Sequence, residues 1–265
     1  MLDLSFFEFY ETADDIKLSS LRFFLGRRLS LYLYIFKILR RSRTLSLRGI
    51  FSDRLFWDAS DKMREAIELH GGKFHISGLQ NLQTQGPFVV VVNHMGVVET
   101  QLMPWIIGCY SPLSMVMKDS LYKSWFFGPI AEATKSIAVS RQNLRADIDV
   151  IMKDGVKYLS KGRSIVLFPE GTRKDYFCRK EFNSLGEKLA VRAGVKIVPV
   201  AVKTDFLEAG KVNSYLGPII PERTIKISIG EPVAVEGRGR KEHEQVLDFI
   251  ETKMKEWGVP VKENS

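Results

Sequence analysis

Residues 89–92 are four consecutive valines, set between Pro87-Phe88 and Asn93-His94, and they limit the fold more than any other stretch of the chain. β-branched side chains favour extended backbone. A strand with one face in water alternates apolar and polar residues. This one is apolar at every position, so both of its faces must be covered, as in the interior of a sheet flanked by helices. Residues 163–168 (RSIVLF) and 196–202 (KIVPVAV) have the same character. Residues 113–118 (LSMVMK) and 136–141 (SIAVSR) read as further strands, and 224–230 (TIKISIG) alternates as a strand does.

Helical segments separate these strands. Ile148, Ile151, Met152 and Val156 mark a helical face within 143–162, LGEKLAVRAG is a helix ended by Gly194, and residues 242–257 form a terminal amphipathic helix. The 265-residue chain is 45% hydrophobic, which suits one sizeable core. The expected architecture is α/β: a layered mixed sheet flanked by helices over residues 71–265. The glycines of HGGKFHISGL separate that domain from residues 1–70, which read as helices rich in Phe, Tyr, Leu and Arg.

The net charge of +8 is placed unevenly. Residues 22–54 carry nine basic groups and one acid, Asp53, which leaves 30 basic and 30 acidic residues elsewhere. Such a block suits a polyanion, whether nucleic acid, an anionic membrane or an acidic carrier protein; the plain alternative is a solvated helix face. Leu25, Leu29, Tyr32, Phe36 and Leu39 recur at four-three spacing, which puts them on one helix face with basic residues at both ends. The apolar run of eleven residues at 29–39 contains Lys37, and a membrane span needs roughly twenty. No signal-peptide pattern fits. The expectation is a helical extension lying on the cytoplasmic face of a membrane, peripheral or monotopic, without a transmembrane span. Two cysteines, Cys109 and Cys178, suggest neither a disulfide framework nor a cysteine zinc site. A metal-binding finger, an RNP-like motif and a recognition-helix signature are all missing, which argues against nucleic acid. There is no G-x-S-x-G elbow and no G-x4-G-K-[ST] loop.

In a layered α/β domain, ligands favour the carboxyl ends of strands. His94 sits at such an end, with Glu99 five residues on and Gly96 easing a turn between them. A neutral imidazole suits proton removal near pH 7, and a carboxylate can fix its tautomer. The other reading of His94 is a hydrogen-bonded core histidine. His243 and Asp248 share the spacing, but inside one helix they stand about 140° apart and read as surface residues. His70 and His75, without further ligands, do not make a zinc site. Residues 168–174 (FPEGTRK) follow another buried strand. Gly171 permits close backbone approach to a ligand, Thr172 offers a hydroxyl and Arg173 can bind phosphate through two nitrogens; a plain Pro-Gly turn is the alternative. SIAVSR ends on Arg141. Pro199 inside an apolar strand points to an edge, a bulge or a substrate contact.

In this order, the pieces resemble the glycerolipid acyltransferase family, whose best-known members are 1-acylglycerol-3-phosphate acyltransferases. Asn93-His94 through Glu99 resembles the family's N-H-x4-D motif, and residues 136–141 resemble its apolar strand ending in Arg. Phe168 to Arg173 matches F-P-E-G-T-R at every position, and residues 195–200 match its V-x-I-V-P-V strand. Two departures stand out. Glu99 occupies the place of the usual Asp, and the H-x-G-x-x-E form is also similar to lipid A late acyltransferases, to which FPEGTR does not belong. The frequent F-K-x-G that follows is Phe182-Asn183-Ser184-Leu185 here, without the lysine.

The resemblance implies acyl transfer from an acyl thioester, acyl-CoA or acyl carrier protein, to a hydroxyl of a lysophospholipid, most simply 1-acylglycerol-3-phosphate. His94 would be the general base and Glu99 its partner. Arg141, Gly171, Thr172 and Arg173 would hold the acceptor's phosphate, Glu170 would shape that site, and Pro199 would line the acyl or acceptor pocket. It implies no metal, no cofactor and no covalent acyl-enzyme. Other acceptors, an aminolipid or a lipid A-like molecule, remain open, as does a non-catalytic lipid-binding protein.

Overall fold

The valine run becomes β3 (Phe88–Val92), and all five residues are buried. The computed structural model describes residues 2–208, 210, 216–237 and 239–263. On one side β3 pairs in parallel with β6 (Ser164–Leu167), followed by β4 (Leu113–Lys118) and β5 (Ile137–Val139). On the other side it pairs in parallel with β7 (Lys196–Lys203), which is antiparallel to β8 (Ile225–Ile229). β2 (Phe74–Ser77) lies parallel to β8, and β1 (Phe9–Glu11) closes that edge antiparallel to β2. The eight-stranded order is β1-β2-β8-β7-β3-β6-β4-β5. Five neighbouring parallel strands therefore send their carboxyl ends to one rim of the sheet.

Period-two alternation sorts each strand between two cores. Val90, Val92, Val166, Val198 and Val200 face one side, where α4 (Val98–Gly108) buries Leu102, Met103, Trp105 and Ile106. Val89, Val91, Ile165, Leu167 and Ile197 face the other. There they meet α7 (Leu144–Leu159), α8 (Leu185–Ala193) and α9 (Arg240–Glu256), the last through Val246, Leu247, Ile250 and Met254. The short helices α5 (Asp119–Tyr122) and α6 (Gly128–Ala133) link β4 to β5.

Pro199 lies inside the sheet without breaking it. Val200 pairs with Ile229, while Ile197 bridges Val233, so three steps along β7 face four on its partner. That extra residue is a β-bulge. Gly230 donates to the Pro199 carbonyl, which shows that Pro199 turns its hydrogen-bonding side, the side where it lacks an N–H, toward the bulge.

The first 70 residues are not helical throughout, as β1 shows. The stretch 21–48 is also not one helix. Gly26, at φ 76°, separates α1 (Leu21–Leu25) from α2 (Arg27–Leu47). α2 packs Ser30 and Leu31 inward and presents Leu29, Leu33 and Phe36 outward beside Lys37 and Arg40. Leu33 thus takes the outward place expected for Tyr32, whose hydroxyl donates to the Gly217 carbonyl. Phe126 stacks on Phe36 at 6.1 Å, and the Arg43 guanidinium lies 4.9 Å over exposed Trp125, so the loop before α6 extends the same apolar surface.

α3 (Asp53–Leu69) ties α2 to the domain. At its end, buried His70 donates from Nδ1 to the Ala66 carbonyl, which leaves Nε2 to accept from Ser30 Oγ at 2.7 Å. Desolvation holds this imidazole below its usual pKa, so it is neutral. His75 instead pairs with Glu11 on β1. At the start of α3, Asp53 receives both terminal nitrogens of Arg163, at 2.7 and 2.8 Å. Arg163 is buried and also reaches Ser114 Oγ and the Leu113 carbonyl, so one ion pair fastens α3 to β4 and β6. Asp53→Ala strands that guanidinium. It is expected to lower stability by about 2 kcal/mol, read as a lower urea midpoint at unchanged slope; an unchanged midpoint would deny the pair this role.

Candidate active site

The site begins where β3 ends. Asn93 is buried, and its side-chain amide copies a backbone unit: Nδ2 donates to the Val202 carbonyl and Oδ1 accepts from the Val202 amide at 2.7 Å. The β3–β7 ladder therefore continues for one step after the main chain has left the sheet. His94 follows directly, and the chain turns through Gly96 into α4, which carries Glu99 in its first turn.

That turn brings residues 94 and 99 together. His94 Nδ1 lies 2.8 Å from Glu99 Oε1, which also accepts from the amides of Met95 (2.8 Å) and Gly96 (2.7 Å). The second carboxylate oxygen accepts from Thr204 Oγ1 at 2.6 Å. Glu99 is fully buried. Burial alone would raise its pKa, but the His94 imidazole, the Thr204 hydroxyl and the Gly96 amide outweigh it and hold the carboxyl below the usual range. With Glu99 accepting at Nδ1, the neutral imidazole carries its proton there and Nε2 is the basic nitrogen.

The FPEGTRK loop grips the histidine's backbone from both sides. Glu170 Oε2 accepts from the His94 amide at 2.5 Å, and the Lys174 amide donates to the His94 carbonyl at 2.8 Å. The Phe168 ring lies against the imidazole with centroids 4.5 Å apart. Gly171 donates to the Phe168 carbonyl and sits at φ 68°, where a side chain would be strained. Thr172 is exposed and Arg173 half-buried. Desolvation pushes the Glu170 carboxyl up to about 8, so it is mostly protonated at neutral pH and adds little charge beside Glu99. Asn183, standing where the family pattern has lysine, donates its amide to the Pro169 carbonyl and so braces this turn. Arg179 ties the following segment to Glu244, Asp248 and Glu251 of α9.

Arg141 reaches the same rim from β5, three strands from β3 and thus about 14 Å across. Its φ of 60° is held by Asp147, whose two oxygens accept from the Ser140 and Arg141 amides at 2.7 Å each. Lys118, exposed at the end of β4, stands between them. Pro199 does not join this group. It shares Val91's register and lines a separate groove of about 640 Å³ with Gly230, Glu242 and Phe249. His243 also departs from expectation: it is mostly buried, 3.1 Å from buried Glu187 of α8, and only Asp248 is on the surface. Among the described residues, no group of three or more His, Cys, Asp or Glu could hold a metal ion.

Sequence reading missed Asn93's bonds, Thr204, Lys118 and Asp147. Each of the first three is the last residue of a strand or the one after it, a position that was read only where a motif drew attention to it.

Residues 73–203 match the family model described as Acyltransferase. The chain is 31% identical over 169 residues to a 1-acyl-sn-glycerol-3-phosphate acyltransferase of Pseudomonas aeruginosa, a match covering 64% of this chain and 62% of that one. It is 26% identical over 169 residues to a lyso-ornithine lipid O-acyltransferase of the same organism, covering 59% and 63%. The chain thus spans less than two thirds of either relative's length. Its fold is similar to the crystal structure of the 1-acyl-sn-glycerophosphate acyltransferase PlsC of Thermotoga maritima, with a TM-score of 0.65 at 19% identity, covering 89% of this chain and 98% of that one. With the family model resting on the segment that carries β3, β6, β7 and the His94 site, residues 73–203 form a domain of the acyltransferase family.

Proposed function

We propose that this protein moves a fatty acyl group from an acyl thioester to the hydroxyl of a lysophospholipid, 1-acylglycerol-3-phosphate foremost. The observation that carries this reading is a single side-chain pair: His94, held through Nδ1 by buried Glu99, with Nε2 as its basic nitrogen. Nε2 takes the acceptor hydroxyl's proton as the oxygen attacks the thioester carbonyl. The tetrahedral intermediate then expels the thiolate, which takes that proton from the imidazolium. An ester and a free thiol result, with no acyl group on the protein. Glu99 stabilises the imidazolium while it exists. Acyl-CoA and acyl carrier protein both meet this chemistry as donors.

Removing a general base typically costs about 10²–10⁴ in rate. His94→Ala is therefore expected to lose that much kcat with an unchanged fold, measured as labelled product extracted after incubation with acyl donor and lysophosphatidate. Glu99→Gln, which loses the charge, should also be impaired. Near-native turnover by His94→Ala would sink the mechanism, and a lipid-binding protein would form no product with any donor.

The cations on the rim, Arg173, Arg141 and Lys118, would read the acceptor's phosphate. A hydrogen bond to a charged group is worth roughly 1.5–3 kcal/mol, so Arg173→Ala should raise KM for lysophosphatidate about tenfold or more. Arg173→Lys should recover only part, because an ammonium lacks the two-nitrogen fork. A lyso-ornithine lipid, which has no phosphate, is the control acceptor. Equal losses on both acceptors would remove the phosphate assignment and favour an aminolipid substrate.

Acceptor and product both live in a bilayer. No described helix is long and apolar enough to cross one. The outward face of α2, with Leu29, Leu33 and Phe36 continued by Trp125 and flanked by Lys37, Arg40 and Arg48, has the composition of an interfacial surface. Each basic residue near an anionic surface contributes about 1 kcal/mol. Changing Lys37, Arg40 and Arg48 together to Gln should weaken binding to phosphatidylglycerol vesicles about 100-fold and leave phosphatidylcholine vesicles little affected. Unchanged vesicle binding, with activity lost only when the donor is acyl carrier protein, would reassign this face to the carrier.

A further inference from the structure

Thr204 is fully buried, one residue past the end of β7, and its hydroxyl lies 2.6 Å from Glu99 Oε2. The other carboxylate oxygen meets donors that all come from residues 94–96. The carboxylate thus bridges two elements, the β3–α4 turn on one side and β7 on the other. β7 already holds Asn93 through two bonds at Val202, so two residues of one strand end fix the neighbours of His94 from both directions. Gly96 lies beside this bridge: a Cβ there would stand at ordinary contact distance, 3.4 Å from Thr204 Oγ1 and 3.6 Å from Glu99 Oε2.

The length of the side chain matters in this arrangement. Aspartate is shorter by one carbon–carbon bond, about 1.5 Å. From the same backbone position it stays with the three donors of residues 94–96, which outnumber the one at Thr204, and falls short of the Thr204 hydroxyl. An Oε2 without its donor in a buried pocket would favour rotation of the carboxylate or its protonation, and either loosens the hold on Nδ1.

We infer that Thr204 is a positioning residue for the reaction, acting through Glu99 on His94, and that Glu99 and Thr204 are matched in length, so that glutamate is the working carboxylate at residue 99. This rests on the assignment of His94 as general base.

Thr204→Val keeps the shape and removes the hydroxyl, while Thr204→Ser keeps the hydroxyl. Steady-state kinetics with acyl donor and lysophosphatidate should show kcat falling about tenfold or more in Thr204→Val, with KM changed less than about twofold. Thr204→Ser should stay within about threefold of native. In the Glu99→Asp protein, adding Thr204→Val should cost less than about twofold, because the shorter carboxylate no longer meets the hydroxyl. Thr204→Ala gives the same reading should valine disturb folding, which the urea midpoint of each variant reports. Native kcat in Thr204→Val, no advantage of serine over valine, or an equal loss in the Glu99→Asp background would each overturn the inference. Turnover by His94→Ala would instead remove the general-base reading itself. An inactive His94→Ala beside a fully active Thr204→Val would remove only the role of Thr204.

Discussion

A carboxylate without solvent contact must find hydrogen bonds for both oxygens or give up its charge. Glu99 finds them in His94, in the amides of residues 95 and 96, and in Thr204, and much of the local structure follows from that requirement. The chain has to turn tightly after His94 so that α4 can begin within reach. Asn93 has to stay attached to β7 so that the turn starts from a fixed point. β7 has to run far enough to deliver Thr204. The parallel pairing of β3 with β7 supplies all three, because it brings both strand ends to the same rim. The FPEGTRK loop adds a second hold on the histidine's own peptide groups through Glu170 and Lys174.

The sheet was legible in the sequence where composition alone decides structure. The valine run, RSIVLF and KIVPVAV are too apolar to leave either face in water, so their place in the interior follows from their residues. β1 was not legible. Its three residues are exposed or half-buried, and they form a strand because β2 offers an open edge some sixty residues away. The pairing of His94 with Glu99 could be read because both lie on one short turn. Thr204 could not, since its partner is 105 residues distant and a lone threonine after a strand has no periodicity to mark it. The same distance effect misplaced His243. The helical wheel separated it correctly from Asp248 but said nothing of Glu187 on another helix. Pro199 was read as an edge, bulge or substrate contact; the bulge is what forms, and the groove that Pro199 lines does not include His94.

Charge counting in the N-terminal stretch gave an excess without saying where it goes. Part of it is used internally. Arg41 faces Asp58 at 3.4 Å, Arg28 donates to the Leu216 carbonyl, and Arg43 is held by Trp125. Lys37 and Arg40 remain on the exposed side of α2, and Arg48 is exposed just past its end. Asp53, the one acid of that stretch, is directed inward to Arg163, so it does not offset the outward charge.

The segment that carries this charge is fastened at both ends. Before it, β1 is hydrogen-bonded into the sheet and Ser19 donates to the Leu69 carbonyl; after it, α3 is locked by Arg163, and Ser30 closes onto His70. α2 is therefore a mount and not a leash. On the proposed docking, a mount sets the height of His94 above the lipid surface once, for every encounter. On that docking an acceptor would be selected by standoff as well as by charge: its hydroxyl would have to project from the interface by the distance that the sheet's rim dictates. A bulkier head group would have to lift out of the bilayer or lie down along the rim to present the same oxygen.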